Sequence, residues 1–173
     1  MRGNGNQSPL PLFIFVSMSP AETILEQYIG PKLIADLKES QKGKGLIASG
    51  KSADSLTFTV ERSGSKVTLK MWGAHWWDFQ QNGRRPNKTG GRPSTWFVNV
   101  IKNWIQVKGL SIPLKAAGAI AYNIINEGIP VPNRFNKGGV LSEPLGEQRI
   151  RNLLIPSLQE KYVEYLGSKL FMN

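Results

Sequence analysis

The chain has 173 residues, 40% hydrophobic and 20% charged, and its 22 Lys and Arg against 12 Asp and Glu give a net charge of +10. This composition fits a folded domain with a hydrophobic core and excludes wholesale disorder. With no cysteine and one histidine, disulfides, thiolate nucleophiles and a multi-histidine metal site within one copy are also excluded.

The positive charge is concentrated in one part of the chain. No acidic residue occurs between Asp78 and Glu127, whereas seven basic residues do: Arg84, Arg85, Lys88, Arg92, Lys102, Lys108 and Lys115. A basic stretch of this kind is found on nucleic-acid-binding surfaces, on subunit interfaces that face an acidic neighbour, and on solvated faces. The sequence leaves these three interpretations open.

Residues 1–18 are predicted to form an extended arm. A polar run leads into the apolar segment 10–16, which a proline interrupts. This segment is too short to span a bilayer as a helix and lacks a small-residue cleavage site after it, which disfavours a signal peptide. We expect the arm to pack on a neighbouring subunit, or to add a strand to it, with Phe13 and Phe15 in the interface. Alternatively, Met18 is the true start of the protein.

The remainder, residues 19–173, is predicted to be a single α+β domain. It opens with a helix that Ser19 caps, with a proline at the first helical position and Glu22 completing a capping box. The Gly30-Pro31 pair is expected to kink this helix, and the polar segment 38–45 is expected to be a loop.

The alternating pattern that follows predicts a β-hairpin. Apolar and polar residues alternate over 56–60 and again over 67–72, and a Ser-Gly-Ser turn at 63–65 joins them. The preceding segment 52–55 is expected to be a turn or a short helix. The hairpin supplies the small antiparallel β-sheet around which the helices of the α+β fold pack.

An aromatic stretch follows the hairpin. It contains, in order, Trp72, His75, Trp76, Trp77 and Phe79. Residues 74–81 are predicted to form a short helix that ends at Asn82-Gly83. Side chains this large bury a wide area either in a core or at an interface, and we assign all five to a subunit or partner interface.

A basic loop over 84–93, rich in Gly, Pro and Asn, comes next. Its cations are Arg84, Arg85, Lys88 and Arg92. They are predicted to face either acidic neighbouring subunits or DNA phosphates.

Two helices are predicted after the basic loop. The first, capped by Ser94 or Thr95, has an apolar face that is expected to lie in the core. Its members are Trp96, Phe97, Val100, Ile101, Trp104 and Ile105. The second covers 111–127 and ends at Gly128.

The last quarter of the chain is predicted to be a long loop and a helix. Loops as long as 129–145 are usually functional or ordered by a partner, and we assign Arg134 and Phe135 to an interface. An amphipathic helix begins near Gly146, with a kink at Pro156, as a C-terminal helical extension.

The sequence offers little for catalysis. His75 is the only imidazole, and although Asp78 could orient it, a packed or capping histidine is the commoner role. Residues 45–52 match the phosphate-loop spacing G-x-x-x-x-G-K-S, but a polar run precedes them and a hairpin follows, where nucleotide binding requires a strand and then a helix. We predict no enzyme activity, no cofactor, no metal, no small-molecule substrate and no membrane partner.

Three segments together resemble the head–tail connector proteins of tailed bacteriophages, also called tail-completion or neck proteins. They are residues 49–56, the run 76–79 that leads to Gly-Arg-Arg-Pro at 83–86, and residues 96–105, within an order of elements that spans 19–130. One departure is the polar segment 80–82, where family members commonly place an aromatic residue and an acid.

The resemblance implies a structural virion protein, assembled in the host cytoplasm, that forms a ring of identical copies at the neck. The ring would join the portal or an adaptor to the tail proteins around the channel, with packaged DNA as a further partner. The alternative is a basic protein that binds DNA on its own, with a steeply salt-dependent affinity.

Overall fold

The computed structural model describes residues 19–170, so the predicted arm with Phe13 and Phe15 lies outside the described residues. The architecture is mixed, with six helices and two small antiparallel two-stranded sheets in the described range, and this confirms the predicted α+β class. None of the helices in 19–170 is both long enough and apolar enough to cross a membrane.

Helix α1 has three consecutive parts: Pro20–Ile24, a π-helical turn at Leu25–Ile29, and Gly30–Gly43. The predicted capping box is present: the Ser19 hydroxyl accepts from the Glu22 N–H, and the Glu22 carboxylate accepts from the Ser19 N–H. The expected irregularity at the Gly-Pro pair takes the form of the π-turn just before it. In a π-turn the hydrogen bond spans five residues.

The π-turn keeps the buried side of α1 in one line. The buried side chains are Ile24, Ile29, Leu33, Leu37 and Gln41. All intervals are four residues except the first, which is five. In a regular α-helix, two residues five positions apart lie on different faces. One π-turn between them returns the second residue to the same face as the first.

The prediction of a loop over 38–45 is wrong for most of its length, because α1 continues to Gly43. Gln41 explains the difference. It is fully buried, and its Nε2 donates to Ser52 Oγ at 2.6 Å and to Gln80 Oε1 at 2.7 Å. A buried polar residue therefore extends the core-facing stripe, and the polar sequence concealed it.

The predicted short helix and hairpin are confirmed. Helix α2 is Lys51–Asp54, and strands β1, Thr57–Ser63, and β2, Lys66–Trp72, pair antiparallel. The two-residue loop between them starts at Gly64, whose φ of 61° suits glycine at that hairpin position.

Four elements follow the hairpin. They are helix α3, Trp76–Asn82; strand β3, Gly83–Arg84; helix α4, Thr95–Val107; and helix α5, Ala117–Glu127. Ser94 caps α4 by accepting from the Phe97 N–H at 3.2 Å. The helix predicted over 111–127 starts later than expected, with the 3-10 turn Leu114–Ala116 before α5.

The chain ends in strand β4, Ile129–Pro130, an irregular segment, and helix α6. Strand β4 pairs antiparallel with β3, so the start of the predicted basic loop is held in a ladder. Helix α6 consists of Glu147–Arg149, a π-turn at Ile150–Leu154, and Ile155–Leu170, and its last part packs on the first turn of α1.

The irregular segment 131–145 is held by the chain itself. Val140 is fully buried beside Leu37 and Trp77, and its carbonyl accepts from the Ser40 hydroxyl at 3.1 Å. The Leu141 N–H donates to Gln81 Oε1 at 2.8 Å. These contacts order the segment without a partner.

Helices α4 and α5 form a hairpin with its own small core. Ile101 and Ile105 pack against Ala117 and Ala121, apart from the clusters along α1. The hairpin is joined to the rest by the β3–β4 ladder and by Lys108 Nζ, which donates to the Gly45 carbonyl at 2.8 Å.

Candidate partner-binding surface

The two adjacent tryptophans of α3 differ in burial: Trp77 is buried and Trp76 is exposed. Trp77 is 4% exposed, packs with Leu37 and Val140, and donates its indole N–H to the Ser52 carbonyl at 2.8 Å. The assignment of Trp77 to an interface is therefore wrong, because a side chain already enclosed by its own chain has no surface to offer a partner.

Trp76, His75 and Phe79 form an exposed aromatic cluster on the outer side of α3. The His75 and Trp76 ring centres are 3.9 Å apart, and Phe79 meets His75 edge-on at 5.4 Å and Trp76 at 6.2 Å. Trp72 is also exposed, at the end of β2, with its indole N–H on Thr59 Oγ1 at 3.3 Å. Rings held against one another lose little conformational freedom on binding, as expected for interface anchors.

The aromatic cluster adjoins the basic loop across an open groove. Phe79 lines this groove together with Arg84 and Arg85, and Asp78, Asn82, Gly83 and Asn87 complete its lining. The Arg84 guanidinium also lies 5.3 Å from the Phe97 ring centre. The Phe97 ring stacks on Trp96 at 6.5 Å. One continuous surface thus runs from α3 across Arg84 to the start of α4.

Arg84 differs from the other cations of the basic loop. It is partly buried, and its guanidinium donates to the Ile124 carbonyl at 2.8 Å and to Asn87 Oδ1 at 2.9 Å. These bonds brace the loop against α5, so we assign Arg84 a positioning role in place of direct partner contact. Arg85, Lys88 and Arg92 are exposed, and none of them joins an ion pair with any residue of 19–170.

The basic loop is fixed at two further points that the sequence did not reveal. The Asn87 N–H donates to the Ile125 carbonyl at 2.7 Å. The Asn126 side chain accepts from the Gly91 N–H at 3.1 Å and donates to the Gly91 carbonyl at 3.2 Å. Such backbone pairing by an asparagine gives no distinctive spacing in a single sequence. The loop therefore presents its three free cations from a defined backbone.

Part of the α4 face that was predicted to lie in the core is exposed. Ile101 and Ile105 are buried against α5, but Trp96 is 68% exposed and Trp104 is also exposed. Val107, which was not among the predicted core residues, is exposed as well. The reason is visible in the sequence: apolar residues occupy more than half of the circumference of α4 at 100° per residue, and one neighbouring helix covers less. These exposed residues are candidate partner contacts that the sequence analysis missed.

Arg134 and Phe135 lie at the tip of the segment 131–145. The Arg134 guanidinium is 4.3 Å from the Phe135 ring centre, and Phe135 is 75% exposed. Asn133 Oδ1 accepts from the N–H groups of Phe135 at 2.8 Å and Asn136 at 2.9 Å. Arg134 and Phe135 form a second candidate contact.

The possible pairing of His75 with Asp78 does not occur, and the favoured interpretation of His75 as a packed histidine agrees with the structure. The Asp78 carboxylate accepts from Asn82 Nδ2 at 2.7 Å, and the His75 ring packs on its aromatic neighbours. Residues 45–52 also lack the phosphate-loop context, since α1 precedes them and a four-residue helix follows. No group of three or more His, Asp or Glu side chains within 19–170 is placed to hold a metal ion.

Comparisons of the chain with protein-family models, with curated proteins and with solved structures find no match.

Proposed function

We propose that this protein is a structural subunit of a tailed-bacteriophage particle. Copies of it would form a ring at the head–tail junction that joins the portal or an adaptor to the tail around the DNA channel. The proposal places the protein in the virion after assembly in the host cytoplasm. It rests on the sequence resemblance and on one structural observation, the continuous aromatic and basic surface from Trp76 to Trp96.

That surface has the composition of a docking site. Exposed aromatic rings and arginines are the residues that contribute most binding energy in protein interfaces. Phe79 and Arg85 line one groove, and Trp76 contacts Phe79. Trp96 stacks on Phe97, whose ring lies against the Arg84 guanidinium. Acidic neighbouring subunits would pair with Arg85, Lys88 and Arg92 without displacing an internal ion pair.

The test uses the triple variant Arg85→Glu, Lys88→Glu, Arg92→Glu, which keeps Arg84 and the loop bracing. Native mass spectrometry should show rings for the wild type, alone or on addition of portal-bearing phage heads, and loss of assembly for the variant. The matched control reverses Lys42, Lys51 and Lys66, three exposed lysines that lie on other elements. Both variants lower the net charge from +10 to about +4, so only a local effect separates them. Normal assembly of the first variant would exclude the basic loop as the docking surface.

The second candidate function is DNA binding by the isolated protein, which is favoured because Arg85, Lys88 and Arg92 form no ion pair within residues 19–170. It predicts tight binding of duplex DNA at low salt, with log K falling linearly with log salt concentration. The triple variant should flatten that slope by about 2.7 if all three cations contact phosphates. If the protein is a stable monomer that does not bind portal-bearing heads and binds DNA with this salt dependence, DNA binding replaces the connector proposal.

A further inference from the structure

The exposed tip of the segment 131–145 has the form of a rigid apolar knob. We call Asn133–Asn136 the knob. Phe135 projects from it at 75% exposure, while the Asn133 side chain holds the backbone on both sides of the ring and donates to the Pro130 carbonyl at 2.7 Å. A large apolar side chain on a braced backbone loses little freedom when it is buried, so its burial contributes nearly in full to binding.

An apolar groove lies between the first turn of α1 and the last part of α6. Its walls, formed chiefly by Ala21, Leu158, Tyr162 and Val163, are almost entirely apolar. Its volume of about 540 Å³ leaves room for an aromatic side chain. Tyr162 and Val163 remain largely exposed, so no other described part of the chain fills it.

The knob and the groove lie at opposite ends of α1. Asn136 Nδ2 donates to the Gln80 carbonyl at 2.8 Å, and the Gln80 side chain accepts from Gln41 at 2.7 Å, so the knob is tied to the C-terminal end of α1. Ala21 precedes Gln41 by twenty residues in that helix. At 1.5 Å per residue the two ends are about 30 Å apart. Phe135 therefore cannot fill the groove of its own chain.

The charges at the two ends are complementary. Segments 20–28 and 155–166, which form the groove, carry four acids and one base, Lys161. The knob region 131–138 carries Arg134 and Lys137 and no acid. Glu26 and Glu160 are exposed and join no ion pair with another residue of 19–170. They are available to cations brought by a second copy.

We propose that Phe135 of one copy inserts into the groove between α1 and α6 of the next copy, with Arg134 and Lys137 facing Glu26 and Glu160. Two different patches on one chain that fit each other make a head-to-tail contact, which repeats until it closes into a ring or continues as a filament. This inference rests on the proposed ring and names the contact between its subunits.

The absence of cysteine makes a direct test possible. The double variant Lys137→Cys, Glu160→Cys keeps Phe135 and the groove walls, and the proposed contact brings these two exposed residues together. On mild oxidation it should give a ladder of covalent multimers on a non-reducing gel, because a disulfide requires Cα atoms within about 7 Å. Each single variant is the matched control, since one cysteine can link no more than two copies. A second control pairs Lys137→Cys with Asn103→Cys, on the exposed face of α4, and should give no ladder.

Charge reversal provides an independent readout on the non-covalent protein. Arg134→Glu with Lys137→Glu should weaken assembly at least tenfold, and Glu26→Lys with Glu160→Lys in the same chain should restore it. Phe135→Ala should abolish assembly, whereas Phe135→Leu should retain part of it. All of these side chains are exposed, so the variants should fold normally.

Three outcomes would overturn the contact. Rings without a ladder would place the subunit contact elsewhere and leave the proposed function standing. Absence of both rings and ladder, also in the presence of portal-bearing heads, would contradict the proposed function as well. A disulfide within one monomer in the double variant Phe13→Cys, Val163→Cys, with no ladder from the 137–160 pair, would assign the groove to residues 10–16 of the same chain.

Discussion

The indole N–H of Trp77 donates to the Ser52 carbonyl oxygen at 2.8 Å, whereas the ring of the adjacent Trp76 lies tilted against His75 and is 42% exposed. Two neighbouring identical residues thus have opposite roles. Trp77→Ala should lower the free energy of unfolding by about 3–5 kcal/mol, because it leaves a cavity beside Leu37 and Val140. Trp76→Ala should change it by less than about 0.5 kcal/mol. Urea unfolding measures both, and similar losses for the two variants would contradict the distinction.

Arg84 and Arg85 form a second contrasting pair. Arg84→Ala should destabilise the fold by about 1–3 kcal/mol, because the Ile124 carbonyl and the Asn87 side chain lose a charged donor. Arg85→Ala removes an exposed cation and should have an effect of less than about 0.5 kcal/mol. Chemical denaturation of the two variants measures both effects. If Arg84→Ala is as stable as Arg85→Ala, Arg84 does not have the positioning role.

Gly83 is required where β3 meets β4. Its φ is 79°, and a Cβ added there would collide with the Ile129 carbonyl oxygen in the facing strand. Gly83→Ala should therefore cost more than about 1 kcal/mol and loosen the start of the basic loop. Gly118→Ala is the control: this position lies inside α5 with open space around it, so a gain of roughly 0.5–1 kcal/mol is expected. Thermal unfolding measures the stability of both variants, and an equal change in stability for the two would contradict the prediction.

The capping box makes the first turn of α1 sensitive to acid. The backbone N–H of Ser19, and next the Ser19 side chain, lower the pKa of Glu22 below its ordinary value of 4.5. A carboxyl group with a lowered pKa in the folded state stabilises the fold above its unfolded-state pKa, and this contribution disappears as the pH falls through the folded-state value. The stability difference between wild type and Glu22→Gln should therefore be constant near neutral pH and shrink below pH 4.5. A difference that stays unchanged down to pH 2 would refute this.

The parts of the fold that sequence could predict are those whose signal is local. The capping box at Ser19, the alternating strands around Gly64 and the Ser94 cap each depend on residues within a few positions of one another, and each is present. The continuation of α1 through Gln41 depends on Ser52 and Gln80, which come later in the chain. A polar residue that becomes buried through distant partners looks like a loop residue in the sequence.

The sequence is equally limited in predicting which residues of the candidate surface are exposed. Trp77 and Trp96 have the same side chain, and sequence analysis placed the first on the surface and the second in the core, the reverse of the structure. Apolar character indicates that a residue is to be buried and leaves open whether its own chain or a partner buries it. The sequence analysis also treated the four cations of the basic loop alike, whereas the structure exposes Arg85, Lys88 and Arg92 and gives Arg84 two internal partners.

The two π-turns have a consequence for how the chain tolerates changes in length. Each precedes a proline by one intervening residue, before Pro31 in α1 and before Pro156 in α6. Removing one residue from Leu25–Ile29, together with Pro31→Ala, would bring Ile29 to four residues from Ile24 and keep both on one face of a regular α-helix. The same deletion between Leu33 and Leu37 would rotate everything beyond it by about 100° and expose the buried stripe. A one-residue deletion in α1 should therefore be accepted at the π-turn and rejected between Leu33 and Leu37, and circular dichroism with urea unfolding of the two deletion variants would show which is folded.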